Sequence, residues 1–246
     1  MKPHLVKMWC IPPEADAEFA WRMEDVLSVY KLPYDPERPV VCMDEASKQL
    51  IAEVRLGKVV APGRVTTQDY EYERKGTCNL FMFFQPLRGW RRVQLKAQRC
   101  KVDWANCVKR VLEEDFPEAK KVLLVCDNLN THTGGALYQA FPPRVAKALC
   151  DRLEFHHTPK HGSWLNMAET ELSVLGGDCL DRRMDCAEFV ASETKAWEAD
   201  RNKREAKVRW RFTIEEARVK LEEVYPITDS LAEEDPKSGE KSDTPE

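Results

Sequence analysis

The chain has no uninterrupted apolar stretch approaching the ~20 residues that a membrane span requires, and its N-terminus has no apolar signal-peptide core. It has no C-x-x-C pair, although nine cysteines are scattered along it. An odd set without paired spacing argues against a disulfide framework or a zinc ribbon and for a reducing cytosol. No internal repeat is visible. These absences exclude the secreted, membrane and fibrous classes. What is present, 43% hydrophobic and 33% charged residues over 246 positions, is a globular balance that suits one large domain or a domain with appendages.

The formal charge of −4 is unevenly placed. Residues 230–246 hold six acids and two lysines, which accounts for all of it and leaves 36 bases against 36 acids in residues 1–229. This tail has few apolar residues and two prolines, so it is expected to be disordered. Two basic runs stand out in the remainder. Residues 86–101 carry Arg88, Arg91, Arg92, Lys96, Arg99 and Lys101 with no acid, and residues 201–211 carry Arg201, Lys203, Arg204, Lys207, Arg209 and Arg211 against Glu205 alone. Such clusters are either solvated surface or a phosphate-binding footprint.

Periodicity divides the chain into elements. Phe19, Met23, Val26, Leu27 and Tyr30 recur at helical intervals, followed by a proline-containing linker from Leu32 to Pro39. Val40 to Met43 is a short apolar run ending in Asp44, which reads as a buried strand. Residues 71–84 and 91–97 read as further strands, the second with Val93, Leu95 and Ala97 on one face and Arg92, Gln94 and Lys96 on a wet one. Trp104, Cys107, Val108, Val111 and Leu112 follow helical spacing behind an Asp103 cap, and Pro117 closes that helix. Val122 to Cys126 is a second apolar run ending in an aspartate, Asp127. A helix over Pro142 to Leu153, a strand to Thr158, and helices starting near Asn166, Asp185 and Thr213 complete the pattern. The last two starts carry capping boxes with Glu188 and Glu216, and Pro226 stops the final helix. Strands followed by alternating strands and helices predict a mixed α/β sheet with helices on both faces.

Two buried-type strands that each end in an aspartate place Asp44 and Asp127 where open α/β sheets carry their chemistry, beyond the carboxyl ends of strands. A carboxylate there is costly to desolvate unless it is paired or bound to a metal, and Mg²⁺ accepts few carboxylates with water and phosphate oxygens. Asn166 precedes a helix with Glu169 three residues on, a pattern that alone reads as a capping box.

Taken together, M-D-E (43–45), C-D-N-L-N-T-H (126–132), H-G-S-W-L-N-M-A-E (161–169) and the closing W-R-F-T-I-E-E-A-R-V-K-L-E-E-V-Y-P (210–226) resemble the DDE transposases of the mariner-like and bacterial insertion-sequence superfamily. The resemblance covers about residues 5–226. It implies an RNase H-like fold with a mixed five-stranded sheet over residues 40–229, preceded by an N-terminal helix and linker (1–39) and followed by the acidic tail (230–246). It implies that Asp44, Asp127 and Glu169 are catalytic and bind two Mg²⁺ or Mn²⁺ ions about 3.5–4 Å apart for in-line phosphoryl transfer. The activity implied is cleavage of transposon ends and their transfer to target DNA, usually at TA dinucleotides, in a bacterial cytosol. Arg88, Arg91, Arg92, Lys96, Arg99, Lys160, His161, Arg201, Lys203, Arg204 and Lys207 then become candidates to neutralise DNA phosphates.

The spacing of 41 residues between Asp127 and Glu169 is longer than in many mariner relatives, and the excess falls between Gly134-Gly135 and Pro142-Pro143. Glu171 competes for the third position but points away from the direction of Glu169, and Glu45 alternates to the other side of its strand from Asp44. His132, His156, His157 and His161 with Cys126 lack helical H-x₃-H spacing or a paired cysteine, which argues against structural zinc. His132 is expected near the metal site or the DNA. Trp90 and Trp164 are expected either to stack on unpaired bases or to pack in the core, and Cys42 and Cys126 to be buried strand residues. About forty residues precede Asp44, enough for one helix but not for a helix-turn-helix end-recognition module, so that module is expected on a separate polypeptide, with a homodimer handling two ends. A nuclease of the same fold without strand transfer, and an inactive remnant that only binds DNA, are the rival readings.

Overall fold

The computed structural model describes residues 16–55 and 70–225. The acidic tail and Pro226 lie outside the described residues. Asp16 caps the first helix, α1 (Ala17–Tyr30), whose expected apolar stripe is buried at Phe19, Met23, Val26 and Leu27. The strands are β1 (Val40–Glu53), β2 (Tyr72–Gln85), β3 (Trp90–Lys96), β4 (Val122–Cys126) and β5 (Leu153–His157). The remaining helices are α2 (Lys101–Arg110), which runs into a π-helical turn over Val111–Asp115, then α3 (Gly134–Ala140), α4 (Pro143–Asp151), α5 (Met167–Leu175), α6 (Ala187–Lys203) and α7 (Ile214–Lys220). No described helix is long and apolar enough to cross a membrane.

The strands form one mixed sheet in the order β3-β2-β1-β4-β5. β1, β2 and β3 are antiparallel neighbours, whereas β4 lies parallel to both β1 and β5. β4 is buried throughout, which explains why it reads as a continuous apolar run rather than an alternating one. Its two sets of side chains enter two cores. Leu123 and Val125 pack with Val40, Cys42, α1 and α5 on one face, while Val122, Leu124 and Cys126 pack with Val41, Met43, α2, α3 and α4 on the other. The N-terminal helix is therefore part of the first core rather than an appendage.

Four sequence expectations change. β1 does not stop at Asp44 but continues to Glu53, because the long partner β2 keeps its hydrogen bonds satisfied after β4 has ended. α2 begins at Lys101 with the Cys100 thiol as cap, since that sulfur accepts from the Asp103 amide. The segment expected to hold excess length is folded as α3. Asp185 does not cap α6, whose cap position is Cys186 without a side-chain bond, whereas Thr213 and Glu216 do form the expected reciprocal box on α7.

The expected alternation of β3 is also altered at both faces. Gln94 is buried and its amide donates to the Cys107 carbonyl of α2 at 3.0 Å, so that face is covered rather than wet. On the other face Arg91 is wholly buried and pairs at 2.8 Å with Glu171, itself 1% exposed. Arg201 of α6 adds two bonds to the same carboxylate at 2.7 and 3.1 Å, and Arg91 donates to the Ala206 carbonyl at 2.7 Å. This cluster ties β3, α5 and α6 together. Gly89, in the β2–β3 turn at φ +71°, admits the 205–206 backbone, which a Cβ would meet at 2.5 Å.

Glu171→Ala leaves two guanidinium groups facing one another in the interior without an anion. The expected loss is about 3–5 kcal/mol of unfolding free energy, read by urea denaturation. A loss under about 1 kcal/mol would show that the cluster is dispensable.

Candidate active site

Asp44 and Asp127 are brought together by strand register. Cys42 of β1 pairs with Val125 of β4, and the parallel ladder ends there. Continuing that register by two residues sets Asp44 beside Asp127. Both have the parity of Cys42 and Val125, so both carboxylates belong to the face covered by α1 and α5. Asp44 is thus mid-strand with respect to β2 and just past the end with respect to β4, and the expectation that it lies beyond a carboxyl end holds for the parallel half of the sheet.

The third carboxylate comes from the first turn of α5. Asn166 caps that helix, accepting from the Ala168 amide at 3.1 Å, and its own Nδ2 donates to the Met43 carbonyl at 2.9 Å. One buried amide therefore joins the helix bearing Glu169 to the strand residue before Asp44. The capping box that the sequence suggests is not made, because the Glu169 amide bonds the Asn166 carbonyl at 3.1 Å rather than the Asn166 side chain. The Asn166 backbone N–H already donates to the Ser163 carbonyl at 2.7 Å, so the Glu169 side chain has no bond to return and stays exposed toward the site. Glu171 is committed to Arg91 and Arg201, which removes it as a competitor for this position.

Electrostatics reflect the convergence. Burial is the largest influence on Asp44, followed by an opposing hydrogen bond from the Glu45 amide at 2.7 Å. Repulsion from Asp127, Glu169 and Glu45 adds to the burial, and the pKa rises to about 6. Among the described residues no three His, Cys, Asp or Glu side chains stand together as a ready-made ion cage. The donor set nevertheless fits hard divalent cations, which take one or two carboxylates and complete their shell with water and phosphate oxygens. Asp127 Oδ1 is buried in contact with His132 Nδ1, and mutual repulsion among the carboxylates favours a cation between them.

His132 and Glu45 complete the surroundings. Glu45 alternates to the opposite face, as expected, and there its Oε1 meets His132 Nε2 at 3.0 Å. His132 Nδ1 contacts Asp127 Oδ1, and the imidazole stacks on Trp104 with centroids 5.7 Å apart. Of the other described histidines, His157 also reaches Asp127, with Nδ1 3.3 Å from its carbonyl. His156 bonds Asp25 of α1 at 2.9 Å, His157 stacks on Phe155, and His161 is exposed on the loop before α5 at φ 63°. Trp90 packs edge-on against Phe116, and Trp164 stacks on Trp210, so both tryptophans lie against core clusters. Cys42 and Cys126 are buried strand residues.

The structure separates the basic residues into groups. Lys96 pairs across β2 at the level of Ser47, on the Asp44 end of the sheet, and Arg99 follows it; Lys160 and His161 lie on the loop after β5 at that same end. Arg88 lies on the β2–β3 turn at the opposite end, where Val208 bonds Pro86, so Arg88, Lys203, Arg204 and Lys207 form a second patch away from the carboxylates. Arg204 and Lys207 carry exposed pairs with Asp200 and Glu205. Arg91 and Arg201 are occupied by Glu171, and Arg92 by Asp115, so these three are corrected from phosphate contacts to internal ties.

The sequence model of a family described as DDE superfamily endonuclease matches residues 39–190. Solved structures of the Mos1 mariner system are similar in fold. Its paired-end complex with Mn is 20% identical at a TM-score of 0.54, covering 82% of this chain and 62% of that one. Its paired-end complex with Mg is 20% identical at 0.53, covering 89% and 66%, and its strand transfer complex is 18% identical at 0.55, covering 82% and 61%. The chain thus spans less than two thirds of the length of these Mos1 chains. No curated protein matches it.

Because the folded-state pKa of Asp44 lies above its ordinary value of 3.8, the folded chain holds that proton longer than the unfolded one. The contribution of this group to stability therefore falls as pH rises from about 4 to 6 and stays low above that. Asp44→Asn is expected to stabilise the chelator-treated protein at pH 8 by up to about 3 kcal/mol and to change little at pH 4. Denaturant midpoints at the two pH values measure the difference, and equal effects at both would contradict it.

Proposed function

The chain belongs to the DDE superfamily endonucleases, with an RNase H-like fold, and from that premise we propose that it is the catalytic part of a transposase. The reaction proposed is cleavage of DNA strands at transposon ends and their transfer to target DNA. The observation that carries this reading is the placement of Asp44, Asp127 and Glu169, which are distant in sequence, on one face at one end of the sheet.

In this reading the three carboxylates hold two Mg²⁺ or Mn²⁺ ions. When bound, such ions supply activation of water, then of a DNA 3′-hydroxyl, and stabilisation of the leaving oxygen in an in-line displacement. The residues around them have distinct tasks. Asp44 and Asp127 present neighbouring oxygens from adjacent strands whose backbone is fixed by the sheet. Glu169 presents its carboxylate from a helix held to β1 by Asn166. Lys96, Arg99, Lys160 and His161 surround this end of the sheet and bind phosphates without reading sequence. Arg88, Lys203, Arg204 and Lys207 offer a second, separate patch along the same duplex. The wider reading includes end recognition by a helix-turn-helix polypeptide, a homodimer that handles two ends, TA target sites and a bacterial cytosol.

Asp44→Ala, Asp127→Ala and Glu169→Ala are each expected to abolish Mg²⁺-dependent nicking of a supercoiled plasmid while retaining DNA at low salt. Unchanged nicking in any of them refutes that residue as a ligand. Incubation of the native protein with a pre-cut transposon end and a target plasmid separates the readings: joined product supports the transposase, cleavage alone a nuclease, and retention without either an inactive remnant. For the phosphate contacts, Lys96→Ala and Arg99→Ala are each expected to weaken DNA binding across sequences and to lower the salt slope by about 1. Salt slopes equal to that of the native protein would remove those two from the interface.

A further inference from the structure

The imidazole of His132 is a buried ionisable group that touches a proposed ligand without being a ligand itself. It is wholly buried beneath the end of β4, and each ring nitrogen faces a carboxylate. Nε2 lies 3.0 Å from Glu45 Oε1, Nδ1 contacts Asp127 Oδ1, and Nδ1 is also 3.3 Å from the Asp127 carbonyl. Its ring plane is fixed by Trp104, stacked at an interplanar angle of 28°. Glu45 is buried as well, at 7% side-chain exposure, on the strand residue that follows Asp44. The chain Glu45–His132–Asp127 therefore crosses from the α2 face of the sheet to the α5 face around the end of β4.

We propose that Glu45 and His132 form a positioning pair for Asp127, with Glu45 anchoring the imidazole and the Nδ1–H restraining one carboxylate oxygen so that the other is directed toward the metal. The inference rests on the assignment of Asp127 as a ligand. A carboxylate one residue past the end of a strand has free χ1 and χ2 torsions unless something restrains them, and no other side-chain bond of Asp127 occurs among the described residues. Partners behind a ligand commonly set its orientation, and their loss weakens metal affinity by about 10- to 100-fold. The placement also makes Glu45 a neighbour of both strand carboxylates: it follows Asp44 in the chain and reaches Asp127 through the ring.

The two nitrogens are separable by substitution, because an asparagine amide overlays the Nδ1 position and a glutamine amide overlays Nε2. Mn²⁺ binding to the full chain without DNA, followed by electron paramagnetic resonance of the free ion, reads the ligand set independently of turnover. His132→Gln, which loses the donor to Asp127, is expected to weaken Mn²⁺ binding by about 10- to 100-fold. His132→Asn, which keeps that donor, is expected to stay within about threefold of the native protein. Thermal midpoints of both variants exclude unfolding as the cause. Equal affinities for the two variants, whether both native-like or both weak, overturn the positioning role. Asp127→Asn is measured alongside: if it leaves Mn²⁺ affinity unchanged, the ligand assignment falls and the inference with it, whereas a loss there with native affinity in His132→Gln overturns the inference alone.

Discussion

The site depends on where one parallel ladder stops. The β1–β4 ladder runs from Val40 and Leu123 only as far as Cys42 and Val125, and the next residues of matching parity on each strand are aspartates. Two anions on adjacent strands repel, and the burial of Asp44 adds to that cost. The sheet holds them there because the apolar residues immediately preceding them, Cys42, Met43, Val125 and Cys126, are all fully buried and cannot shift without opening a core. The burial of uncharged neighbours thus maintains an arrangement that the carboxylates themselves oppose.

The same logic explains the charged interior beside α5. Glu171 lies two residues from Glu169, and the helix turns it toward Arg91 and Arg201 instead of toward the aspartates. A helix carrying the exposed carboxylate of Glu169 on one side is held by a buried ionic contact on the other. The two acids have opposite fates because α5 presents them to different surroundings, one to the open end of the sheet and one to two guanidinium groups.

Local signals in the chain were sufficient for much of this. The apolar run of β4 matches its burial on both sides, the stripe of α1 matches its buried face, and the Thr213 box forms as its spacing suggests. The aspartates were legible because each interrupts an apolar run. What was not legible depends on partners distant in sequence. The length of β1 is set by β2, the burial of Arg91 by a glutamate eighty residues away, and the covering of Gln94 by α2. The basic runs looked like a single footprint, but strand direction sends Lys96 and Arg88 to opposite ends of the sheet. The contact of Glu45 with His132 was hidden for a similar reason: strand alternation assigns Glu45 a face, yet only the fold brings His132 around to meet it.

Asn166 has a mechanical consequence. Its carboxamide is a short strut, gripping the Ala168 amide of α5 at one end and the Met43 carbonyl of β1 at the other. The span between the first and third acidic groups is therefore gauged by a side chain with only two rotatable bonds. Outward displacement of the start of α5 therefore loads β1, the strand paired on both sides by β2 and β4, so the Glu169 end of the helix has little freedom to move away from Asp44.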